Sequence, residues 1–445
     1  MTLFSRISGL IRDIAFAQFL GSGAIADAFF VAFRIPNFFR RIFGEGALSV
    51  AFVPVYSEFE TQYPERETKA FLDLMAGRLG VVLMVFTMIG VVGAPVFVQV
   101  MAPGFSSDPE KFEATVVMLR WTFPYLFFIS LVALAAGILN THNRFAAAAA
   151  TPILLNVCLI VTVCFFVPAN IDSSIVLGVG VLIAGIIQFA FQFPFLKRVS
   201  RIPSPKLLAK DKTQARGAEG VKQVMTLMVP AIFGVSIAQI NLLINTVLAS
   251  FLVTGSVSWL YYSDRLMEFP LGVFGVALAT VILPSLSRHI AENQEDAYNE
   301  TLNWALKLVF LVCLPAAVGL VLLAFPLIVT LFNYGAFSDM DAEMSARSLA
   351  AFSIGLVGFV AVKVLAPGFY ARKNTKTPVM IGAVAMGVNA VVALSLIWNF
   401  DHVGLALATS IAGLVNAGLL FWQLKKVSRF SLSPGWPGFL LKVLI

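Results

Sequence analysis

Twelve runs of apolar residues, most of them near membrane-crossing length, constrain this chain more than any motif it carries. A bilayer's hydrocarbon core is crossed by about 20 apolar residues in a helix. Inside it every backbone N–H and C=O must find a partner within the helix or within a closed barrel. The runs fall at 3–20, 24–57, 72–102, 115–139, 150–168, 174–196, 223–252, 256–287, 303–332, 346–370, 378–399 and 404–424. A thirteenth begins near Pro437 and stops with the chain at Ile445, so it reads as the start of a truncated C-terminal helix. The ten-residue alternation of a membrane barrel is absent, and no cleavable signal pattern opens the chain. The expectation is an all-α polytopic membrane protein. Composition agrees: 59% of the 445 residues are hydrophobic and 12% charged, half the roughly 25% charged fraction of soluble domains. That excludes a soluble enzyme, a nucleic-acid-binding domain and a disordered chain. Cys158, Cys164 and Cys313 all sit in apolar runs and imply no disulfide framework.

Orientation follows from the connecting loops. Those after even-numbered spans carry eighteen Lys and Arg, whereas the alternate set carries only Lys111. The positive-inside rule then places the even-to-odd loops and the N-terminus in the cytoplasm. The net charge of +7 is therefore mostly a topology signal and not a nucleic-acid footprint. The longest polar connection, 197–222, divides the chain into an N-lobe of helices 1–6 (1–196) and a C-lobe of helices 7–12 (223–425), followed by 426–445. A faint internal echo accompanies this division: GALSVAFVP at 46–54 and GVALATVILP at 275–284. Six spans per half makes the repeat parallel, with a pseudo-two-fold relation, and transporters built from such repeats place substrate between the halves.

Charge inside the spans is the informative anomaly, because each group at a helix centre costs about 2.5–3.5 kcal/mol. One cluster holds Arg6, Arg12, Asp13, Asp27, Arg34, Arg40, Arg41 and Glu45. On a straight helix Arg6 and Asp13 share a face, with Arg12 about 120° from Arg6. Asp27, Arg34, Arg41 and Glu45 fall within about 40° of one stripe, although Pro36 makes straightness doubtful. A second cluster holds Asp264, Arg265 and Glu268, the last two spaced i,i+3 for pairing. Structural ion pairs would account for some of these. A central cationic cavity with gating pairs accounts for the set. The bases of the first cluster are all arginine, whose planar fork suits phosphate oxygens, and this points to a phosphate-bearing substrate.

Other chemistries find little footing. His142, His289 and His402 are scattered without zinc-ligand spacing, and no metal or cofactor is expected. No P-loop is present, so the chain itself does not hydrolyse ATP. Asp264 and Glu268 would suit an intramembrane transferase only with a metal or base beside them.

The segment 34–54, RIPNFFRRIFGEGALSVAFVP, together with Ser5-Arg6 and Arg12-Asp13, resembles the MurJ (MviN) family of lipid II flippases. So do 137–145 (GILNTHNRF), 264–270 (DRLMEFP), 331–337 (LFNYGAF) and 363–378 (KVLAPGFYARKNTKTP). The resemblance implies a fourteen-helix fold of the multidrug/oligosaccharidyl-lipid/polysaccharide exporter superfamily and a monomeric protein of the bacterial inner membrane. It implies a transporter, not an enzyme, that moves undecaprenyl-pyrophosphate-linked peptidoglycan precursor to the periplasmic leaflet. Its partners would be that lipid-linked pyrophosphate and the surrounding membrane lipids. Arg6, Arg12 and Arg265 would contact the pyrophosphate, with Arg40 and Asp27 beside them; Asp13, Arg34, Arg41, Glu45, Asp264 and Glu268 would line or gate the cavity. The helical wheel favours Arg41 over Arg40, and the family pattern the reverse. A flippase for another lipid-linked oligosaccharide, a cation-coupled drug exporter of the same superfamily and a membrane scaffold are the alternative readings.

Overall fold

Because hydrocarbon offers no competing hydrogen-bond partner, apolar runs of this length close on themselves as helices. The computed structural model describes residues 2–169, 172–427 and 430–444, and among them there is no strand. The first half comprises α1 (Thr2–Leu20), α2 (Ala24–Phe39), a π-helical stretch (Arg40–Leu48), α3 (Ser49–Gln62), α4 (Glu65–Val92), α5 (Ala94–Met101), α6 (Pro109–Thr122), α7 (Tyr125–Thr141), α8 (Phe145–Val161) and α9 (Ser173–Arg198). After a further π stretch (Thr162–Phe166) that follows α8, and a polar segment past α9, come α10 (Lys212–Ser250), α11 (Ser256–Pro270), a third π stretch (Leu271–Gly275) and α12 (Val276–Ala291). The chain continues through α13 (Glu295–Leu322), α14 (Ala324–Phe332), α15 (Asp339–Ile354), α16 (Leu356–Ala371), α17 (Lys376–Val427) and α18 (Trp436–Leu444). Among the described residues eight helical stretches are long and apolar enough to cross a membrane.

Several expected spans are jointed. The run 72–102 parts at Gly93, 115–139 at Phe123–Pro124, 303–332 at Leu323 and 346–370 at Gly355. Helices also start outside the apolar runs: α4 opens with Glu65 and Glu67, and α13 with Glu295 and Asp296, where carboxylates suit the positive end of the helix dipole. The expected spans 378–399 and 404–424 meet at Asp401, whose φ of 48° interrupts α17.

The internal echo has a structural counterpart. In each half the second span is an α–π–α composite: α2, Arg40–Leu48 and α3 around residues 46–54, then α11, Leu271–Gly275 and α12 around 275–284. π stretches arise where an i→i+5 pattern replaces i→i+4 and concentrate at functional sites.

The chain divides into two compact units, Met1–Thr254 and Gly255–Ile445. This boundary differs from the expected one at 197–222, because α10 packs on α4, α3 and the first π stretch. Close approach permits it. A Cβ on Gly217 of α10 would lie 2.8 Å from the Phe71 amide nitrogen. Beside that contact Phe59 stacks on Phe71 with centroids 4.6 Å apart, and Phe52 on Tyr56 at 5.3 Å. In the second unit α11 packs on α15, and α16 on α17, α12 and α13.

Candidate functional site

Helix α1 lies against α8, and its charges are held there. Arg12 is 7% exposed and Asp13 3%. The Arg12 guanidinium donates through Nη2 (2.6 Å) and Nε (3.0 Å) to Asp13 Oδ1, and through Nη1 to Asn156 Oδ1 at 2.9 Å. Asn156 donates onward to Ser8 Oγ at 2.9 Å and the Ser5 carbonyl at 3.3 Å. The acid that the wheel set beside Arg6 thus pairs with its own neighbour, Arg12. Arg6 is half-buried, one helical turn and a half earlier. Asn156 is absent from the sequence-based set, though its signal was present: an amide in the middle of the apolar run 150–168.

Asp27 is fully buried, and its Oδ2 accepts from Lys111 Nζ at 2.9 Å. Lys111 is itself 4% exposed, with its ammonium 4.2 Å from the Phe105 ring centroid. This corrects the placement of Lys111 in a loop: it stands in the first turn of α6 and is buried. The signal was its isolation, as the single basic residue among the loops expected on its side. Farther along α2, Arg34 donates to Thr246 Oγ1 of α10 at 2.8 Å. Arg40 donates to Asn37 Oδ1 at 2.9 Å and is half-buried, whereas Arg41 is exposed and reaches Gln239 Oε1 at 3.5 Å. Arg34 and Arg41 thus both reach α10, while Arg40 turns back to Asn37 of α2. Arg40 opens the π stretch, whose wider turn shifts every later residue off a 100° wheel. The side chain of Glu45 lies outside the described residues.

In the second unit, Asp264 and Arg265 are half-buried on α11. Arg265 Nη1 donates to Glu268 Oε2 at 3.0 Å, which realises the i,i+3 pairing, and its guanidinium lies 4.9 Å from the Tyr261 ring centroid. Both partners keep substantial exposure, 35% and 43% of their side chains.

Past the end of the apolar run in α3, a polar knot ties the segment after α9. Arg201 donates to Glu60 at 2.7 and 3.2 Å and to Glu65 at 2.7 Å. Burial opposes the Glu60 charge, but hydrogen bonds from Arg201 and Tyr56 and the Arg201 charge outweigh it and hold the carboxyl below its usual range. Asp73, almost wholly buried on α4, takes Lys69 (2.9 Å), Lys206 (3.3 Å) and the Ser204 amide (2.7 Å). Among the described residues no group of His, Cys, Asp and Glu is arranged to hold a metal.

The family model described as lipid II flippase MurJ matches residues 16–445. The chain belongs to the lipid II flippase MurJ family. A relative from Haemophilus influenzae named probable lipid II flippase MurJ is 42% identical over 458 residues, covering 100% of this chain and 88% of its own. The Burkholderia cenocepacia lipid II flippase MurJ is 43% identical over 446 residues, covering 100% and 85%. Among solved structures, a MurJ in an inward closed conformation superposes with a TM-score of 0.84 at 29% identity, covering 99% of this chain and 88% of that one. An inward-facing multidrug transporter of the wider superfamily gives 0.78 at 14% identity, with 97% and 96% covered, and so shares the fold. The all-α membrane architecture expected from the apolar runs is thus the MurJ architecture.

Proposed function

We propose that this chain flips lipid II, the undecaprenyl-pyrophosphate-linked peptidoglycan precursor, from the cytoplasmic to the periplasmic leaflet by alternating access. Similarity to MurJ relatives along the entire chain carries this reading. The reading as a drug exporter has only a fold likeness at 14% identity behind it. The chain acts as a transporter with no chemical step of its own. Its pyrophosphate ligands are Arg6 and Arg12 in the first unit and Arg265 in the second, with Arg40 and Asp27 near them; Asp13, Arg34, Arg41, Glu45, Asp264 and Glu268 line the route. Division into an N-lobe (1–196) and a C-lobe (223–425) is supported by the matching α–π–α composites. The protein works as a monomer in the inner membrane.

The N-terminus and the 197–222 segment face the cytoplasm, on the strength of the basic loop residues. Burial of Lys111 against Asp27 removes the single exception to that pattern. A pyrophosphate crossing hydrocarbon needs its charge neutralised throughout, which guanidinium groups supply. Without an ATP site the work comes from the membrane potential or an ion gradient, about 2.3 kcal/mol per charge per 100 mV. Expression of this chain in a flippase-depleted strain should restore growth and remove accumulated lipid II from the inner leaflet. Growth restored while lipid II stays in that leaflet would overturn the reading. Single cysteines in 197–222 and 371–377 should resist an impermeant label added to intact cells, and efficient labelling would reverse the orientation.

A further inference from the structure

Alongside the polar knot in the first unit lies a cavity of about 690 Å³ that the transport reading does not use. Its size is that of a small-molecule site, roughly 300–1,000 Å³. Gly77, Gly80, Leu131, Ile138, Phe193 and Leu207 are among its walls, contributed by α4, α7, α9 and the segment after α9. The walls are almost wholly apolar, and none belongs to α1 or α2, where most of the candidate substrate residues sit.

The segment that closes one end is built into place. Asp73 holds the Ser204 amide and the Lys206 ammonium, and the Lys206 amide donates to the Asp73 carbonyl at 2.9 Å. It crosses α4 directly over Gly77, where a Cβ would come within 2.1 Å of the Lys206 carbonyl oxygen. Pro203, Pro205 and Leu207 then face the cavity. At the other end the wall merges with the exposed apolar face of α4 at Val81 and Met84.

Charge sits at one end only. Arg78 Nε donates to the Leu207 carbonyl at 3.3 Å, on the cavity rim. Arg78 also lines an adjoining recess of about 490 Å³ with Lys222 and Glu219. An apolar cavity with Arg78 bonded to its rim, and a recess that sets Lys222 and Glu219 beside that same arginine, match a molecule with a hydrocarbon tail and an anionic head.

We propose that this cavity binds an acyl chain of an anionic glycerophospholipid, whose phosphate rests on Arg78 and Lys222. A chain moving from bilayer into protein gains little from the hydrophobic effect, so selection rests on the two cations. The bound lipid would brace the segment after α9 against α4.

The experiment offers the full-length protein equal phosphatidylglycerol and phosphatidylethanolamine in detergent and counts retained lipid by native mass spectrometry. Wild type should retain phosphatidylglycerol preferentially. Gly80→Trp should abolish that retention, since a Cβ there meets nothing within 4 Å and the indole would enter the cavity. Arg78→Gln with Lys222→Gln should lower the preference about fivefold per charge removed, with the Tm kept as the check on folding. The double variant answers the question even if Gly80→Trp folds poorly. Equal retention of the two lipids by wild type would overturn the proposal. So would undiminished phosphatidylglycerol on both variants, or loss of the polyprenyl-pyrophosphate carrier instead of phosphatidylglycerol from Gly80→Trp.

Discussion

Two ion pairs, one in each unit, put the same chemistry to opposite use. Lys111–Asp27 in the first unit is sealed, with side chains 4% and 1% exposed, whereas Arg265–Glu268 in the second is 35% and 43% exposed. A sealed pair has given up its hydration and cannot release one partner without stranding charge in low dielectric. An open pair loses little when its partners part, because water or a substrate oxygen takes over. The contrast separates a fastener from a contact: Asp27 and Lys111 hold α2 to α6, while under the proposed function Arg265 would exchange Glu268 for phosphate. Arg12 stands between the two cases, buried like a fastener yet on the helix that carries Arg6.

The largest effect should come from breaking the sealed pair. Lys111→Met should cost about 3–5 kcal/mol of stability, seen as a lower Tm in detergent and less protein in the membrane. Lys111→Met with Asp27→Leu should recover much of that loss, and a double variant no better than the single one would contradict the fastener role.

The arginines sharpen the comparison. Arg12→Ala should abolish complementation of a flippase-depleted strain and also lower the Tm, because it strips a guanidinium from the buried Asp13. Arg265→Ala should abolish complementation with a stability change of no more than about 1 kcal/mol, and Arg6→Ala should behave likewise. Arg→Lys should impair function at two or more of the three, since an ammonium lacks the fork. Equal loss of stability for Arg12→Ala and Arg265→Ala would erase the distinction drawn here.

The smallest effect is a pH dependence at the polar knot. Glu60 has its carboxyl lowered in the fold, so its stabilising contribution is fully present above the unfolded value and is lost as pH falls through the folded one. Between neutral and mildly acidic pH, the amide protection factors in the segment after α9 should therefore stay constant. They should fall only as Glu60 protonates and releases Arg201. A Glu60→Gln variant should remove that acid step, and an acid step of unchanged size in it would assign the dependence to another group.

Hydropathy alone determined much here, because the cost of moving a residue into hydrocarbon is nearly a local sum. The membrane class, the helical character of the apolar runs, the MurJ resemblance and the i,i+3 pair Arg265–Glu268 were all readable from neighbours in the chain. The joints at Gly93 and Pro124 were partly readable, since Gly and Pro mark them but do not say whether a span bends or breaks, and the joint at Asp401 falls in the polar gap between the runs 378–399 and 404–424. Tertiary structure decided the rest. Asp27 meets Lys111 across 84 residues, Arg34 meets Thr246 across 212, and Arg12 meets Asn156 across 144. No periodicity encodes such distances, because the partner of a buried charge depends on which helices become adjacent. The π stretch at Arg40–Leu48 belongs with these, as its wider turn is held by the packing of α7 and α10 against it. The sequence thus determined which groups had to be neutralised within the membrane. Adjacency of helices, set by side-chain fit and by close approaches such as that at Gly217, decided what neutralises them.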